Sequence, residues 1–184
     1  MFITIAVVIG VLLAALLAFA ATRPNTFHVR RTHSIQAPPD RIFAQIADFH
    51  NWAAWSPFEK LDPAMTKTFS VAISGKGAVY NWAGNSKAGE GRMEIVEAVA
   101  PSLIRIKLDF LKPFEGHNTA EFTFKANGPS TEVTWAMSGA QPFMLKVISI
   151  FVSMDKMLGK HFEEGLANLK AVAESNHSFS TKGA

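Results

Sequence analysis

QPFMLKVISIFVSMDKMLGKHFEEGLANLKAVAE, residues 141–174, is the stretch on which the fold turns. At about 100° per residue, with Phe151 as zero, Val147, Met154, Leu158, Phe162, Leu166, Leu169 and Val172 fall within roughly 60° of one direction. Lys146, Lys156, Lys160 and Glu164 fall on the opposite side. The spacing predicts one long amphipathic helix, with Gly159 and Gly165 as candidate kinks, that buries its apolar stripe against another layer. Asp155, about 40° from the centre of the stripe, is the only charge on it.

The residues before that helix change period from 3.6 to 2, which marks strands. In Thr131–Ser138, Val133, Trp135 and Met137 alternate with Glu132, Thr134 and Ala136. In Leu103–Phe110, Ile104, Ile106, Leu108 and Phe110 alternate with Arg105, Lys107 and Asp109. Thr119–Lys125, Met93–Val99 and Ala78–Ala83 read as further strands, and the alternation of Phe69, Val71 and Ile73 as another. Turns fall at Gly75-Lys76-Gly77, around Gly84, Gly89 and Gly91, and at Asn127-Gly128-Pro129. Further upstream, Phe27–Gln36 reads as a first strand, and Pro39 and Asp40 open a helix that carries Ile42, Phe43, Ile46 and Ala47. Asp48–Pro63 is aromatic and irregular. Consecutive hairpins followed by one long helix predict an α+β fold, an antiparallel sheet of six or seven strands curled around the C-terminal helix.

The N-terminus is of another kind. No charged side chain occurs from Met1 to Thr22, and Phe2–Ala21 is almost entirely Ile, Val, Leu, Ala and Phe. At about 1.5 Å per residue, such a helix spans the roughly 30 Å core of a bilayer. Ala18-Phe19-Ala20 resembles a signal-peptidase site, but no Lys or Arg precedes the run, which is longer than the about 7–15 apolar residues of a signal peptide. A transmembrane anchor over residues 1–22 is therefore expected, followed by a linker at 23–26, a soluble domain at 27–174 and a polar tail at 175–184. Arg23, Arg30 and Arg31 follow the anchor, which by the positive-inside bias puts the domain in the cytoplasm. A periplasmic or extracellular domain, or a secreted one after cleavage, is the alternative.

Net charge is +3 and the basic residues are scattered. Nucleic acid is not an expected partner; the cluster of Arg23, Arg30 and Arg31 better suits anionic headgroups. The absence of cysteine excludes disulfides, thiolate catalysis and Cys-based metal sites. The six histidines show no metal-ligand spacing. No phosphate-cradling loop, dinucleotide fingerprint or nucleophile elbow is present, so neither metal nor cofactor is expected.

The element order, together with Ile35-Gln36-Ala37-Pro38-Pro39-Asp40-Arg41-Ile42-Phe43 and Asp48-Phe49-His50-Asn51-Trp52, resembles the helix-grip superfamily of START-like lipid-transfer domains and polyketide cyclases and dehydrases. Trp55-Ser56-Pro57-Phe58-Glu59-Lys60-Leu61-Asp62-Pro63 and Tyr80-Asn81-Trp82-Ala83-Gly84-Asn85 resemble a membrane-anchored bacterial branch of it. The resemblance covers about residues 27–174 and implies an apolar cavity between the curved sheet and the last helix. It leaves activity open, since one scaffold hosts carriers, sensors and enzymes.

Tyr80 and Trp82 share one strand face, Trp135 and Met137 another, and Trp55 with Glu59 comes from the aromatic loop; all suit a cavity wall or lid. Phe151, Leu158 and Asp155 on the helical stripe would complete it. Asp155 is either a polar anchor or acid/base in the cavity, or a structural ion pair. Glu115 and His117, alternate residues on a strand, make a second acid/base candidate. Three functions are compatible with these features: a membrane-tethered module binding a lipid or other hydrophobic small molecule, a cyclase- or dehydrase-like enzyme on an apolar substrate, and a regulatory partner of another membrane protein. For the last, Gly10 and Ala14 give a small-xxx-small spacing that permits close helix packing.

Overall fold

The computed structural model describes Phe2–Ser175. Its elements are α1 (Phe2–Ala21), β1 (Thr26–Ile35), α2 (Pro39–Ala47), two 3-10 turns (Phe49–Ala54 and Pro57–Lys60), β2 (Thr66–Phe69), β3 (Val79–Ala83), β4 (Glu90–Val99), β5 (Leu103–Lys112), β6 (Gly116–Asn127), β7 (Ser130–Ala140), α3 (Phe143–Phe151) and α4 (Met154–Ser175). The strands form one antiparallel sheet in the order β1-β7-β6-β5-β4-β3-β2. Each strand from β2 to β6 pairs with its successor, and β1 adds to β7. Gly128, at φ 59°, opens the two-residue turn between Asn127 and Ser130, a conformation glycine adopts without steric cost. The expected tail lies outside the described residues except for Ser175, the last residue of α4.

Register assigns the loops to two ends of the sheet. Thr26 lies opposite Ala140, Gly139 opposite Asn118, and Gly116 opposite Phe110. The start of β1, the end of β7 and the β5–β6 turn therefore share one end, where α1 leaves and α3 begins. Pairing of Glu90 with both Lys112 and Ala83 brings the β3–β4 turn to the same end. We call this the α1 end. The β4–β5 and β6–β7 turns lie at the other.

Strand alternation separates the two faces. Ile104, Ile106 and Leu108 are buried on the inner face, while Arg105 bridges Glu97 and Glu121 on the outer one. Against the inner face lies α4, with Phe162, Leu166, Leu169 and Ala173 buried. Fully burying a large apolar side chain contributes about 1.5–3 kcal/mol, so this stripe is a principal source of cohesion. Trp135 stacks on Phe162 with ring centroids 4.2 Å apart.

Two expectations about local structure are corrected. Residues 141–174 form two helices, broken at Val152 and Ser153. Val152 is extended, with φ −123° and ψ 115°. Ser153 caps α4: its hydroxyl accepts from Lys156 N–H at 3.3 Å, and Asp155 sits in the first turn, where the helix dipole favours a carboxylate. Gly159 and Gly165 do not kink α4. A Cβ on Gly159 would fall 2.0 Å from the Arg31 guanidinium, and one on Gly165 would fall 2.8 Å from Trp135, so both glycines let β-sheet side chains cross the helix closely. The second correction concerns Phe69, Val71 and Ile73. β2 stops at Phe69, because the Ser70 hydroxyl accepts the Val79 N–H and donates to Ala72 O, turning the chain out of the ladder. Val71 is 100% exposed.

α1 is long and apolar enough to cross a membrane, as a signal sequence near an N-terminus also is. Its end is bolted to the rest of the molecule. Thr22 N–H and hydroxyl both donate to Phe19 O, Asn25 O accepts Gln141 N–H at 2.7 Å, and Asn25 Oδ1 accepts Lys146 Nζ at 2.6 Å. α1 packs against α3, with Ala20 fully buried.

Candidate functional site: an apolar cavity at one end of the sheet

The inner face is not filled along its whole length. In the half away from the α1 end, Ile95, Ile104, Phe122 and Val133 are completely buried, and Trp55 packs among Trp52, Phe122 and Trp135. In the half nearer the α1 end, a cavity of about 340 Å³ remains between β3–β7, the 3-10 turns and the first turns of α4. That volume is at the lower end of the roughly 300–1,000 Å³ of small-molecule sites. Small inward residues leave the space. Ala120 occupies an inward position on β6 between the large side chains of its neighbours, and Gly91 on β4 leaves room for Trp82, whose ring would lie 2.3 Å from a Cβ there.

Aromatic side chains hold the walls apart. Trp82 Nε1 donates to Ala88 O at 3.0 Å, which pins the indole over β4. Trp52 Nε1 donates to Ile46 O at 3.0 Å. Tyr80 stacks beside Trp82, with centroids 6.0 Å apart. Polar atoms on the wall are few. Tyr80 donates its phenol hydrogen to Glu59 Oε1 at 2.7 Å, and Glu59 Oε2 is paired with Lys67. Burial, reinforced by the hydrogen bond to Glu59 and its charge, pushes the Tyr80 phenol far above the ordinary tyrosine range. Ser56 Oγ and Trp135 Nε1 are buried without a partner among the described residues, and both side chains line the cavity.

Of the residues expected at a binding site, Glu59, Tyr80, Trp82, Trp135, Met137 and Leu158 border this cavity. Trp55 is completely buried in the core behind it, its Nε1 donating to Gln45 O at 3.3 Å. Phe151 is 74% exposed on α3, remote from the cavity because the break at Val152 and Ser153 resets the helical phase. Asp155 is outside the cavity as well. It accepts two hydrogen bonds from Arg31, at 2.9 and 3.0 Å, at the solvent-exposed edge between β1 and α4, where Arg31 also donates to Glu163 at 2.6 Å. The Arg31 hydrogen bonds hold the Asp155 carboxyl below its usual range. Its other surface borders a separate, more polar cleft of about 260 Å³ between the end of α1, β1 and α3.

Glu115 and His117 lie at the exposed start of β6. His117 Nδ1 is 2.7 Å from Asp109 Oδ1 on the outer face, opposite the cavity wall formed by Leu108 and Phe110. Burial opposes ionisation of Asp109, but hydrogen bonds from His117 and Lys107 outweigh it and keep the carboxyl below its usual range. Wall residues that strand parity alone would have singled out are Met93, Leu108, Phe110 and Ala120. Ser56, Met157 and His161 carried no signal of that kind.

A curved antiparallel sheet gripping a C-terminal helix around an apolar cavity defines a helix-grip protein. The chain belongs to the family described as polyketide cyclase / dehydrase and lipid transport, whose model matches residues 26–174. Solved structures share the fold at low identity. Protein CV1439 from Chromobacterium violaceum is 16% identical over 83% of this chain and 99% of that chain, with a TM-score of 0.57. Protein Ms6760 from Mycobacterium smegmatis is 18% identical over 82% of this chain and 92% of that chain, also at 0.57. Protein MLL2253 from Mesorhizobium loti is 17% identical over 81% of this chain and 98% of that chain, at 0.56. No curated protein matches the chain at a significant level.

Proposed function

We propose that this protein is a membrane-anchored binding module that holds a lipid or another hydrophobic small molecule in the cavity. The observation that carries the reading is the 340 Å³ cavity itself, apolar on most of its wall and preformed by pinned aromatic rings. Such a site binds by removing apolar ligand surface from water. The unpartnered Trp135 Nε1 and Ser56 Oγ indicate that the ligand carries at least one hydrogen-bond acceptor among its apolar groups, because a buried donor left unpaired costs about 1–3 kcal/mol. Glu59, Tyr80, Trp82, Met137 and Leu158 complete the contact set.

In this reading α1 is retained as a single-pass anchor over residues 1–22, the linker is 23–26, the binding domain is 27–174 and 175–184 is a tail. Arg23, Arg30 and Arg31 favour a cytoplasmic domain. The cyclase or dehydrase alternative gains nothing from Asp155, Glu115 and His117, which face away from the cavity. The test is organic extraction of the protein purified in mild detergent, followed by mass spectrometry. A bound apolar molecule at near-stoichiometric amount is expected; a folded protein that carries none and takes up no fluorescent acyl probe would contradict the reading.

A further inference from the structure

α3 is built inside out. Its one charged residue, Lys146, is only 7% exposed and turned inward onto Asn25, and the Ser149 hydroxyl is spent on Lys146 O. Its outward side chains are apolar: Met144 is 69% exposed and Phe151 74%, with Phe143 and Ile148 about half exposed. A helix at a water interface shows the reverse arrangement. No acidic residue occurs from Gln141 to Met154. The apolar surface of α3 is continuous with that of α1, against which it packs.

A second apolar projection occupies the same end of the sheet. The β5–β6 turn carries Phe114, 83% exposed, next to the exposed Leu111 near the end of β5, and its register places it beside the ends of β7 and β1. The cavity lies in that half too, with Phe110, Ala88 and the exposed Met157 on its wall nearest this end.

We infer that α3 and the β5–β6 tip are a second membrane contact, inserted among the headgroups and upper acyl chains of the leaflet in which α1 ends. This rests on the anchored reading of α1 and adds to it. Because Asn25 is held by both Gln141 and Lys146, α1 is a rigid bracket, and the domain is seated on the bilayer with its cavity end down. An in-plane helix with one apolar side buries that side about 5–10 Å into the interface. A ligand then passes between leaflet and cavity past Met157 without crossing bulk water.

The protein contains no cysteine, so single-cysteine variants give clean labels. Full-length protein is reconstituted in phosphatidylcholine–phosphatidylglycerol vesicles, with nitroxide labels at Met144→Cys, Ile148→Cys and Phe114→Cys. Leu12→Cys in α1 and Val71→Cys at the far end of the sheet serve as references. Accessibility to oxygen and to a water-soluble nickel chelate is then compared. Labels at 144, 148 and 114 are expected to be at least tenfold less accessible to the chelate than the label at 71, and to be accessible to oxygen. If the label at 12 is lipid-exposed while those at 144, 148 and 114 behave like the label at 71, the second contact is refuted and the anchor stands. If the label at 12 also reports water, the anchored reading fails with it. Labels at 144 and 148 shielded from both reagents would mean that a protein surface covers α3, which overturns the inference.

Discussion

Replacing Ala120 by leucine distinguishes an open cavity from a tightly filled core by the sign of its effect. Ala120 is buried and lines the cavity from β6. The substitution adds three carbons, each worth about 0.8 kcal/mol when removed from water, or roughly 2.4 kcal/mol in all. Ordering the leucine side chain costs about 0.5–1 kcal/mol. The expected net gain is about 1.5 kcal/mol, which for a domain of this size raises Tm by roughly 3–6 °C. In a filled core the same change would force neighbours off their rotamers and cost about 1–3 kcal/mol. The assay is calorimetry of delipidated full-length protein in detergent micelles, wild type against variant. A Tm lowered by several degrees would mean that the space beside Ala120 is already filled.

Three further outcomes are expected. Tyr80 is the only tyrosine, so tyrosinate absorbance reports on it alone. Its raised pKa means that the folded state holds the proton that the unfolded chain releases near pH 10. The associated stability is complete below that pH and is lost as pH rises above it; tyrosinate should appear only with alkaline unfolding, and a midpoint near 10 in folded protein would contradict the buried Glu59 contact. Gly91→Ala should destabilise by about 1–3 kcal/mol, since its Cβ would meet the Trp82 ring at 2.3 Å and Asp109 O at 2.6 Å; an unchanged urea midpoint would show that Trp82 is not held there. Asp155→Asn should leave uptake of a fluorescent fatty acid unaltered. Because the Asp155 pKa is lowered, its pairing with Arg31 stabilises above the ordinary carboxylate range and is lost as pH falls through it, so the variant should lack that acid-dependent part of the Tm profile. Loss of uptake in the variant would place Asp155 in the binding machinery after all.

The strands were legible because one face of the sheet is buried and the other charged, so that Ile104, Ile106 and Leu108 alternate visibly with Arg105 and Lys107. The same alternation misled at Val71 and Ile73, where a serine hydroxyl captures a ladder N–H and period alone carries no trace of it. The C-terminal break was written in the sequence as Ser153 followed by Asp155, a helix-start signal. It was masked because α3 is apolar enough to extend the stripe of α4 without interruption. That masked break put Phe151 on the cavity stripe; Asp155 shares the helical face of Phe162 and Leu166, and the ion-pair alternative for it is the one the structure realises, with Arg31. Arg31, 124 residues before Asp155, shows why local pattern falls short here: which charge meets which is decided by the β1–α4 crossing. Eight residues of the cavity wall, those on β3 to β7, follow from strand parity. That the wall encloses space follows from small residues, Ala120 and Gly91, whose significance depends on what stands opposite them.

Whether the cavity holds an apolar ligand is read most simply from the amount of extractable apolar molecule bound to purified wild-type protein and to Ala120→Leu. Close to one equivalent is expected on the wild type and strong depletion on the equally well-folded variant. Equal amounts on both, or none on either, would mean that the cavity is not the binding site.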